Sequence, residues 1–350
     1  MPEKVKVLIV DDSAYMRVVL KDILESEPGI EIVGSAKDGV EAIERAKELA
    51  PHVVLLDIQM PRMDGIATLR RIMRESPTRV IMLSAMDKFD DQLPLRALEF
   101  GAVDFISKPS GPVSVDIVNF KDKIVDIIML AAGVKVEILK RTSAPLPHKL
   151  GAMKTPSAPE MKGIFIAAST GGPRALEMIF AALPKEIPAP LFIVQHIPAE
   201  FCGSLSQRLT SSNGPMVGLA RNDLRAEKGM GYLAPGGRHL KVAWKGTTSL
   251  IMRLADDPPV NFVRPSADVL FKSAAECLGV NAMAVVLTGM GSDGAAGARA
   301  IKLAGGEVLV QDEQSSLAFS MPRSVMEAGA DPEILPLEEI AERIVKFLEM

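Results

Sequence analysis

The stretch Gly163-Ile-Phe-Ile-Ala-Ala-Ser169-Thr-Gly-Gly-Pro173-Arg-Ala-Leu-Glu-Met-Ile-Phe180 joins the end of a strand to the start of a helix. Its first half is an apolar run of strand length, and the residues after Pro173 have the apolar spacing of a helix. The two glycines permit a tight turn, and proline suits a first helical position because the N–H that it lacks has no partner there. The pattern places Ser169 at a strand-to-helix turn, the unit of an α/β fold.

Ser169 has two interpretations from this stretch alone. The order small-x-Ser-x-Gly is similar to a nucleophile elbow, with Ala167 in place of the first glycine. N–H groups at a helix start favour nearby negative charge, which supports a reactive serine. A serine that opens a helix is more commonly only its N-cap, so both interpretations stay open at this point.

Composition indicates two domains with nearly balanced charge. The 350 residues, 48% hydrophobic and 24% charged, exceed what one core usually supports. A net charge of −4 gives no indication of binding to nucleic acid or an anionic membrane. Without an N-terminal signal pattern or an apolar run near the roughly 20 residues of a membrane span, we expect a cytoplasmic protein with no membrane insertion. Cys202 and Cys277 lie outside any CxxC pattern, as is typical of reduced thiols.

Residues 4–131 alternate five apolar runs of strand length with helical stretches, which predicts a parallel sheet covered on both faces. The runs are 4–10, 30–36, 53–57, 79–83 and 103–106. Ligands of such sheets bind beyond the carboxyl ends of the strands. Those ends carry a set of polar residues: Asp11, Asp12, Asp57, Ser84 and Lys108.

This set of polar residues predicts a phosphoryl site with a metal ion. Three neighbouring carboxylates repel one another unless a cation joins them, and Mg²⁺ commonly binds carboxylates together with phosphate oxygens. Asp57 is then the candidate nucleophile, with Ser84 and Lys108 placed to contact phosphoryl oxygens. The alternative is that Asp11, Asp12 and Asp57 only cap helices. The combination found at the strand ends favours the phosphoryl site.

Residues 4–131 resemble a response-regulator receiver domain. The motifs that carry the resemblance are Val-Asp11-Asp12-Ser-Ala, Leu-Leu-Asp57-Ile-Gln-Met-Pro, Leu-Ser84-Ala and Phe105-Ile-Ser-Lys108-Pro. The resemblance implies a flavodoxin-like sheet of strand order 2-1-3-4-5 and a phosphorylated Asp57. It also implies Mg²⁺ held by Asp11, Asp12 and Asp57, and a switch that involves Ser84, Phe105 and Lys108. We assign the receiver to residues 1–131.

Residues 132–160, rich in Pro, Ser, Thr, Lys and Ala, are predicted to be a linker, and 161–350 to be a second domain with a mostly parallel sheet and an added antiparallel segment. Three of its apolar runs end at or lead to Ser169, His196 and Asp293. If these strands run parallel, the three side chains share one edge of the sheet and supply a nucleophile, a base and an orienting acid.

Each member of this set also has a structural interpretation. His196 is consistent with a core histidine and Asp293 with a turn residue, and only their joint occurrence with Ser169 favours catalysis. A phosphate-binding loop is a competing interpretation of the glycine-rich stretches. Neither stretch matches the P-loop or the dinucleotide-binding motif. The remaining histidine of this domain, His239, precedes the antiparallel segment and is predicted to be structural.

The second domain resembles the chemotaxis protein-glutamate methylesterases, a family in which a receiver is joined by a linker to this domain. The resemblance rests on Ala-Ala-Ser169-Thr170-Gly-Gly-Pro, Val-Gln-His196-Ile-Pro and Leu-Thr-Gly-Met290-Gly-Ser-Asp293-Gly, whereas Ser320-Met-Pro replaces the family's usual Gly-Met-Pro. It implies a phosphorylation-activated esterase that forms glutamate and methanol from glutamyl methyl esters, and that deamidates glutamine. Backbone N–H groups near Thr170 and Met290 are the oxyanion candidates, and no cofactor is expected for the ester reaction.

The implied partners are methyl-accepting chemotaxis receptors as substrates and a chemotaxis histidine kinase as phosphodonor, and we expect a monomer. The alternative function is a non-enzymatic two-domain response regulator whose second domain binds a protein partner. A DNA-binding output is disfavoured because residues 151–350 show no concentrated basic face and no helix-turn-helix pattern.

Overall fold

The computed structural model describes residues 3–84, 92–108, 115–140, 150–151 and 161–350. The chain divides into two compact units, Met1–Ala144 and Pro145–Met350. Across the described ranges, no helix has both the length and the apolar character that crossing a bilayer requires.

The first unit is a five-stranded parallel sheet of order β2-β1-β3-β4-β5, as predicted. Each strand lies within a residue or two of its predicted bounds, because a strand buried on both faces is a continuous apolar run. The elements are β1 (Val5–Val10), α1 (Ala14–Glu25), β2 (Ile30–Ala36), α2 (Gly39–Leu49), β3 (Val53–Asp57), α3 (Gly65–Glu75), β4 (Arg79–Ser84), α4 (Leu93–Glu99), β5 (Asp104–Ser107), α5 (Val115–Gly133) and α6 (Val136–Lys140).

The start of the predicted linker is helical. Helix α5 ends at Gly133, and α6 covers residues that composition placed in the linker. Leu139 and Val134 are buried, and the carbonyl of Val134 accepts a hydrogen bond from Arg79 Nε at 2.9 Å. The burial of these two side chains and the hydrogen bond hold the chain against the rest of the first unit as far as Lys140. Residues 141–149 and 152–160 lie outside the described part of the chain, so the rest of the linker stays a prediction.

The second unit contains a seven-stranded sheet of order β14-β13-β12-β6-β7-β9-β8, in which every pairing is parallel. The predicted antiparallel segment is the hairpin of β10 and β11. The elements are β6 (Gly163–Ala168), α7 (Gly172–Ala182), β7 (Leu191–Gln195), α8 (Ala199–Ser211), β8 (Met216–Leu219), β9 (Met230–Leu233), β10 (His239–Lys245), β11 (Ser249–Ala255), α9 (Ala267–Leu278), β12 (Ala282–Val286), α10 (Ala295–Leu303), β13 (Glu307–Gln311), α11 (Ser320–Glu327), β14 (Glu333–Leu335) and α12 (Leu337–Glu349).

The centre of this second sheet is strand β6, which pairs with β7 on one side and β12 on the other. All three strands are buried along their whole length, and Phe165 of β6 stacks on Phe192 of β7 with ring centroids 5.0 Å apart. After β6 the chain adds β7, β8 and β9 on one side of this strand, and it later adds β12, β13 and β14 on the other side. The direction in which strands are added therefore reverses at β6. Crevices at such reversals, beyond the strand carboxyl ends, are where α/β sheets bind ligands.

Candidate active site and phosphorylation site

Ser169 directly follows β6 and is fixed by three backbone hydrogen bonds. Its N–H donates to the carbonyl of Thr288 at 3.0 Å, and its carbonyl accepts from Gly172 N at 2.8 Å and from Gln195 Nε2 at 2.9 Å. The N-cap of α7 is Gly171, with a φ of 78°, so Ser169 is not the cap and Pro173 is not the first helical residue. The left-handed residue of the turn is this glycine, whereas Ser169 has no positive φ, in contrast to a strained nucleophile elbow.

His196 follows β7 and lies beside Ser169 at the same sheet edge. The backbone N–H of His196 donates to the carbonyl of Ala168, the residue before Ser169, at 3.1 Å. On its imidazole, Nε2 is 2.9 Å from Oδ2 of Asp293. An ionised carboxylate can only accept, so Nε2 carries the proton and the lone pair is on Nδ1. Nδ1 is therefore the ring nitrogen left to act as a base.

Asp293 is held by the start of α9 and by a loop before it. Besides His196, four groups donate hydrogen bonds to its two carboxylate oxygens: Ser266 Oγ at 2.6 Å, Ala267 N at 2.6 Å, Asp268 N at 3.2 Å and Asn261 Nδ2 at 3.2 Å. Burial of Asp293 raises its pKa, but the hydrogen bonds from His196, Ser266 and Ala267 outweigh burial, and the pKa is lowered overall. Asp293 is therefore ionised at neutral pH.

The donors around Asp293 were not found from the sequence. Asn261 and Ser266 lie in the loop between β11 and α9. Ser266 belongs to Arg264-Pro-Ser-Ala-Asp-Val, a stretch that resembles the methylesterase family, but the sequence assigns neither residue a role, and only the folded chain brings them to Asp293. His239, predicted to be structural, is fully buried and supports this loop. Its Nδ1 accepts from the backbone N–H of Ser266 at 3.1 Å, and its Nε2 bonds to the carbonyl of Pro258 at 3.1 Å.

The loop that contains Met290 is pinned against Ser169. Thr288 Oγ1 donates to the carbonyl of Thr170 at 3.0 Å, which joins the two loops that carry the oxyanion candidates. A Cβ on Gly289 would lie 2.7 Å from Cβ of Ser169, so only glycine fits there. Ser320, the departure from the family's Gly-Met-Pro, adds a hydrogen bond of 2.9 Å from its hydroxyl to the Gly289 carbonyl. These contacts fix the backbone on both sides of the serine.

Two buried glutamine side chains also hold these loops in place, and neither is among the site residues predicted from the sequence. Gln195 holds the carbonyl of Ser169, and Gln311 Oε1 accepts from the N–H of Thr288 at 2.9 Å. Both glutamines are the last residues of apolar strands, and both are buried. A polar residue that ends an apolar run was the available signal, and it was applied only to residues with titratable or nucleophilic side chains.

The first unit brings Asp11, Asp12 and Asp57 together at the carboxyl ends of β1 and β3. One oxygen from each carboxylate lies within 4.8 Å of the others, and Lys108 Nζ is 2.7 Å from Asp11 Oδ2 and 2.8 Å from Asp57 Oδ2. The capping interpretation of these aspartates is wrong, because α1 and α3 are capped by Ser13 and Asp64. Hard oxygen donors at this spacing fit Mg²⁺.

Ser84 lies beside this cluster at the end of β4, and Phe105 lies on the neighbouring strand β5. Ser84 is the buried last residue of β4, and its carbonyl accepts from the backbone N–H of Lys108 at 2.7 Å. Phe105 is buried on β5, which pairs with β4 in parallel. Ser84 and Lys108 therefore share the edge of the sheet that carries Asp57, whereas Phe105 pairs with Met82, two residues before that edge.

The Asp57 carboxyl is shifted toward its protonated form. Burial raises its pKa from 3.8 to about 6, with a further increase from Asp11, while Lys108 opposes the shift. Because the folded pKa lies above the ordinary one, the protonated form favours folding. That contribution is complete below pH 3.8 and is lost as the pH rises through about 6.

We expect Asp57→Asn to stabilise the first unit at pH 7.5 without Mg²⁺, by at most about 3 kcal/mol, because asparagine removes the buried charge. The measurement is urea unfolding of the whole chain, with hydrogen exchange at β1 and β3 reporting the first unit. Trp244, the single tryptophan, reports the second unit and should not change. Asp22→Asn, at an exposed position, is the control, and a lowered midpoint for Asp57→Asn at pH 7.5 contradicts the expectation.

Comparison with known families identifies both units. Residues 164–344 match the model of the CheB methylesterase family, and residues 7–116 match the model of the response regulator receiver domain. A protein-glutamate methylesterase/protein-glutamine glutaminase of Pyrococcus horikoshii is 42% identical over 351 residues, which covers 100% of this chain and 95% of that protein. A relative of the same name from Halalkalibacterium halodurans is 42% identical and covers 99% of both chains.

A solved structure resembles the second unit. The crystal structure of the Thermotoga maritima CheB methylesterase catalytic domain has a TM-score of 0.52 and 38% identity, and it covers 53% of this chain and 98% of that domain. The full-length relative from the same organism is 41% identical over 345 residues, or 98% of each chain. Similarity thus extends over both units in the same order.

Proposed function

The chain belongs to the CheB methylesterase family and carries a receiver domain, and from this premise we propose that it is a phosphorylation-activated serine esterase of chemotaxis receptors. Its substrates are glutamyl methyl esters, which it converts to glutamate and methanol, and receptor glutamine, which it deamidates to glutamate. The observation that carries the proposal is the bond between His196 and the ionised Asp293 at the sheet edge beside Ser169. This arrangement can take a proton from a serine.

The reaction proceeds through an acyl-enzyme. Oγ of Ser169 attacks the ester carbonyl while Nδ1 of His196 takes its proton, and Asp293 stabilises the resulting imidazolium. Backbone N–H groups near Thr170 and Met290 stabilise the oxyanion. His196 returns the proton to the leaving methanol, or to ammonia from glutamine. It then takes a proton from the water that releases the glutamate carboxyl.

The receiver controls this reaction through Asp57. Asp11, Asp12 and Asp57 would hold Mg²⁺, which would supply positive charge to neutralise the phosphoryl oxygens. An Asp57 oxygen accepts the phosphoryl group from a histidine kinase. Lys108, already paired with Asp57, can contact a phosphoryl oxygen. Added charge and acceptor oxygens then bias Ser84 and Phe105 toward another arrangement, which relieves inhibition of the second unit. The protein acts as a cytoplasmic monomer without nucleic acid.

Methanol release from methylated receptor membranes tests both parts of the proposal. We expect release to rise when a small-molecule phosphodonor and Mg²⁺ are added, and we expect Asp57→Asn to remove the increase but keep the basal rate. Asp22→Asn should respond as the wild type does. Equal stimulation of wild type and Asp57→Asn contradicts control through Asp57. Absence of release by the folded, phosphorylated chain favours the non-enzymatic regulator.

Gly289→Ala is expected to lower methanol release by about 10²-fold, because its Cβ displaces either Ser169 or the loop that carries the Met290 N–H. Beyond Ser169, the added Cβ also meets the sulfur of Met321, so the loop has no free direction of movement. Gly218→Ala, at a glycine with open space around it and, like Gly289, without a left-handed φ, is the control and should keep the wild-type rate. A Gly289→Ala enzyme as fast as the wild type contradicts the close fit.

A further inference from the structure

The tight turn between β11 and α9 displays an unusual aromatic residue. Val260 and Val263 exchange two backbone hydrogen bonds of 3.2 and 3.1 Å, and the two residues between them, Asn261 and Phe262, have φ values of 53° and 62°. A bulky side chain in the left-handed region is uncommon, and glycine is the residue usually found there. The Phe262 side chain is also fully exposed, at 102% of its reference area.

The turn is fastened to the candidate active site. Asn261 Nδ2 donates to Asp293 at 3.2 Å and to Asp268 at 2.9 Å, and Asp293 in turn bonds to His196. Phe262 therefore extends into solvent one residue away from a direct contact of the proposed catalytic acid. Backbone strain and an exposed aromatic ring combined at one position beside a reaction site point to a binding role.

Other strongly exposed apolar residues of the second unit lie elsewhere. Val280 precedes β12 and Leu303 precedes β13, at the opposite edge of the sheet from Ser169. Phe262 instead follows Asn261, which contacts Asp293 at the sheet edge that carries His196 and Ser169. The link between the ring and the buried acid is Asn261, the residue before Phe262, which donates to Asp293.

We propose that Phe262 is a docking residue for the protein substrate, whose apolar side chains near the modified glutamate pack against the ring. The inference rests on the proposed function and specifies how the receptor, as opposed to the ester group, is recognised. Exposed aromatic side chains contribute strongly to binding once a partner removes them from water. A free glutamyl methyl ester is too small to span from Ser169 past His196, Asp293 and Asn261 to this ring.

The test compares methylated receptor membranes with a free glutamate γ-methyl ester. We expect Phe262→Ala and Phe262→Gly to lower kcat/KM for the receptor about tenfold or more, mainly through KM, and to leave the free ester unchanged. Phe262→Gly should unfold at an equal or higher urea concentration, because glycine adopts this φ without strain. Leu303→Ala, an exposed apolar residue at the far edge, is the matched control and should match the wild type.

Each other outcome overturns the inference. An equal loss on both substrates assigns Phe262 a structural role that acts through Asn261 and Asp293. An unchanged kcat/KM on the receptor excludes docking at the ring, while methanol release itself still supports the esterase. A wild type that releases methanol from neither substrate overturns the proposed function, and this inference with it.

Discussion

Ser169→Ala should release no methanol above background from methylated receptors, a fall on the order of 10⁶-fold. The reason is that the Ser169 hydroxyl is the proposed nucleophile, while the nearby hydroxyls of Ser266 and Thr288 are buried and donate hydrogen bonds to Asp293 and to the Thr170 carbonyl. Fold and stability should stay unchanged, because the three hydrogen bonds that fix Ser169 all use its backbone and survive in alanine.

The measurement for Ser169→Ala is pre-steady-state methanol release, in which wild type gives a burst equal to the active sites. Ser211→Ala, an exposed serine of α8, is the control and should keep the burst. A burst in Ser169→Ala would move the nucleophile to another residue. Receptor binding that persists without any release, in wild type as in the variant, would support the regulator alternative.

Asp293→Asn should lower kcat by about 10⁴-fold, the loss typical of an orienting acid replaced by its amide. The amide cannot accept from every donor around it, since its NH₂ must face one of the N–H or O–H groups that now bind the carboxylate. It also allows the wrong tautomer of His196, with the proton on Nδ1, where the base is needed.

Two further variants give losses of kcat with which the loss in Asp293→Asn can be compared. Asn261→Ala removes one donor of several, so we expect a loss of about tenfold or less in kcat, because Asp293 keeps its remaining donors. Asp331→Asn, at a carboxylate that is 91% exposed, should have wild-type activity. The measurement is the kcat for methanol release. An Asp293→Asn enzyme within tenfold of wild type contradicts the role of this carboxylate.

The strands of the two sheets could be predicted because the residues that indicate each strand are consecutive in the sequence. Each central strand is an apolar run of strand length, and the polar residue that ends it marks the edge where ligands bind. Ser169, His196 and Asp57 each directly follow or end such a run. Parallel pairing of β6 with β7 and β12 then brings the first two together with Asp293.

The support of the site could not be predicted in the same way. Asn261 and Ser266 reach Asp293 only through the path of the loop between β11 and α9, and no spacing rule relates them to the Gly-rich turn that contains Asp293. The helical residues 136–140 were missed for a different reason. Their helix is stabilised by burial of Leu139 in the first unit, a contact that composition does not indicate.

The central position of β6 also has a consequence for synthesis of the chain. Its neighbour β12 begins at Ala282, so a ribosome completes most of the second unit before that pairing can form. Until then β6 offers an apolar, unpaired edge, the kind of surface that other nascent chains and chaperones bind. Under the proposed mechanism, a partly synthesised chain lacks Asp293 and cannot demethylate receptors. Esterase activity therefore marks a chain whose translation has passed this residue and whose sheet has closed around β6.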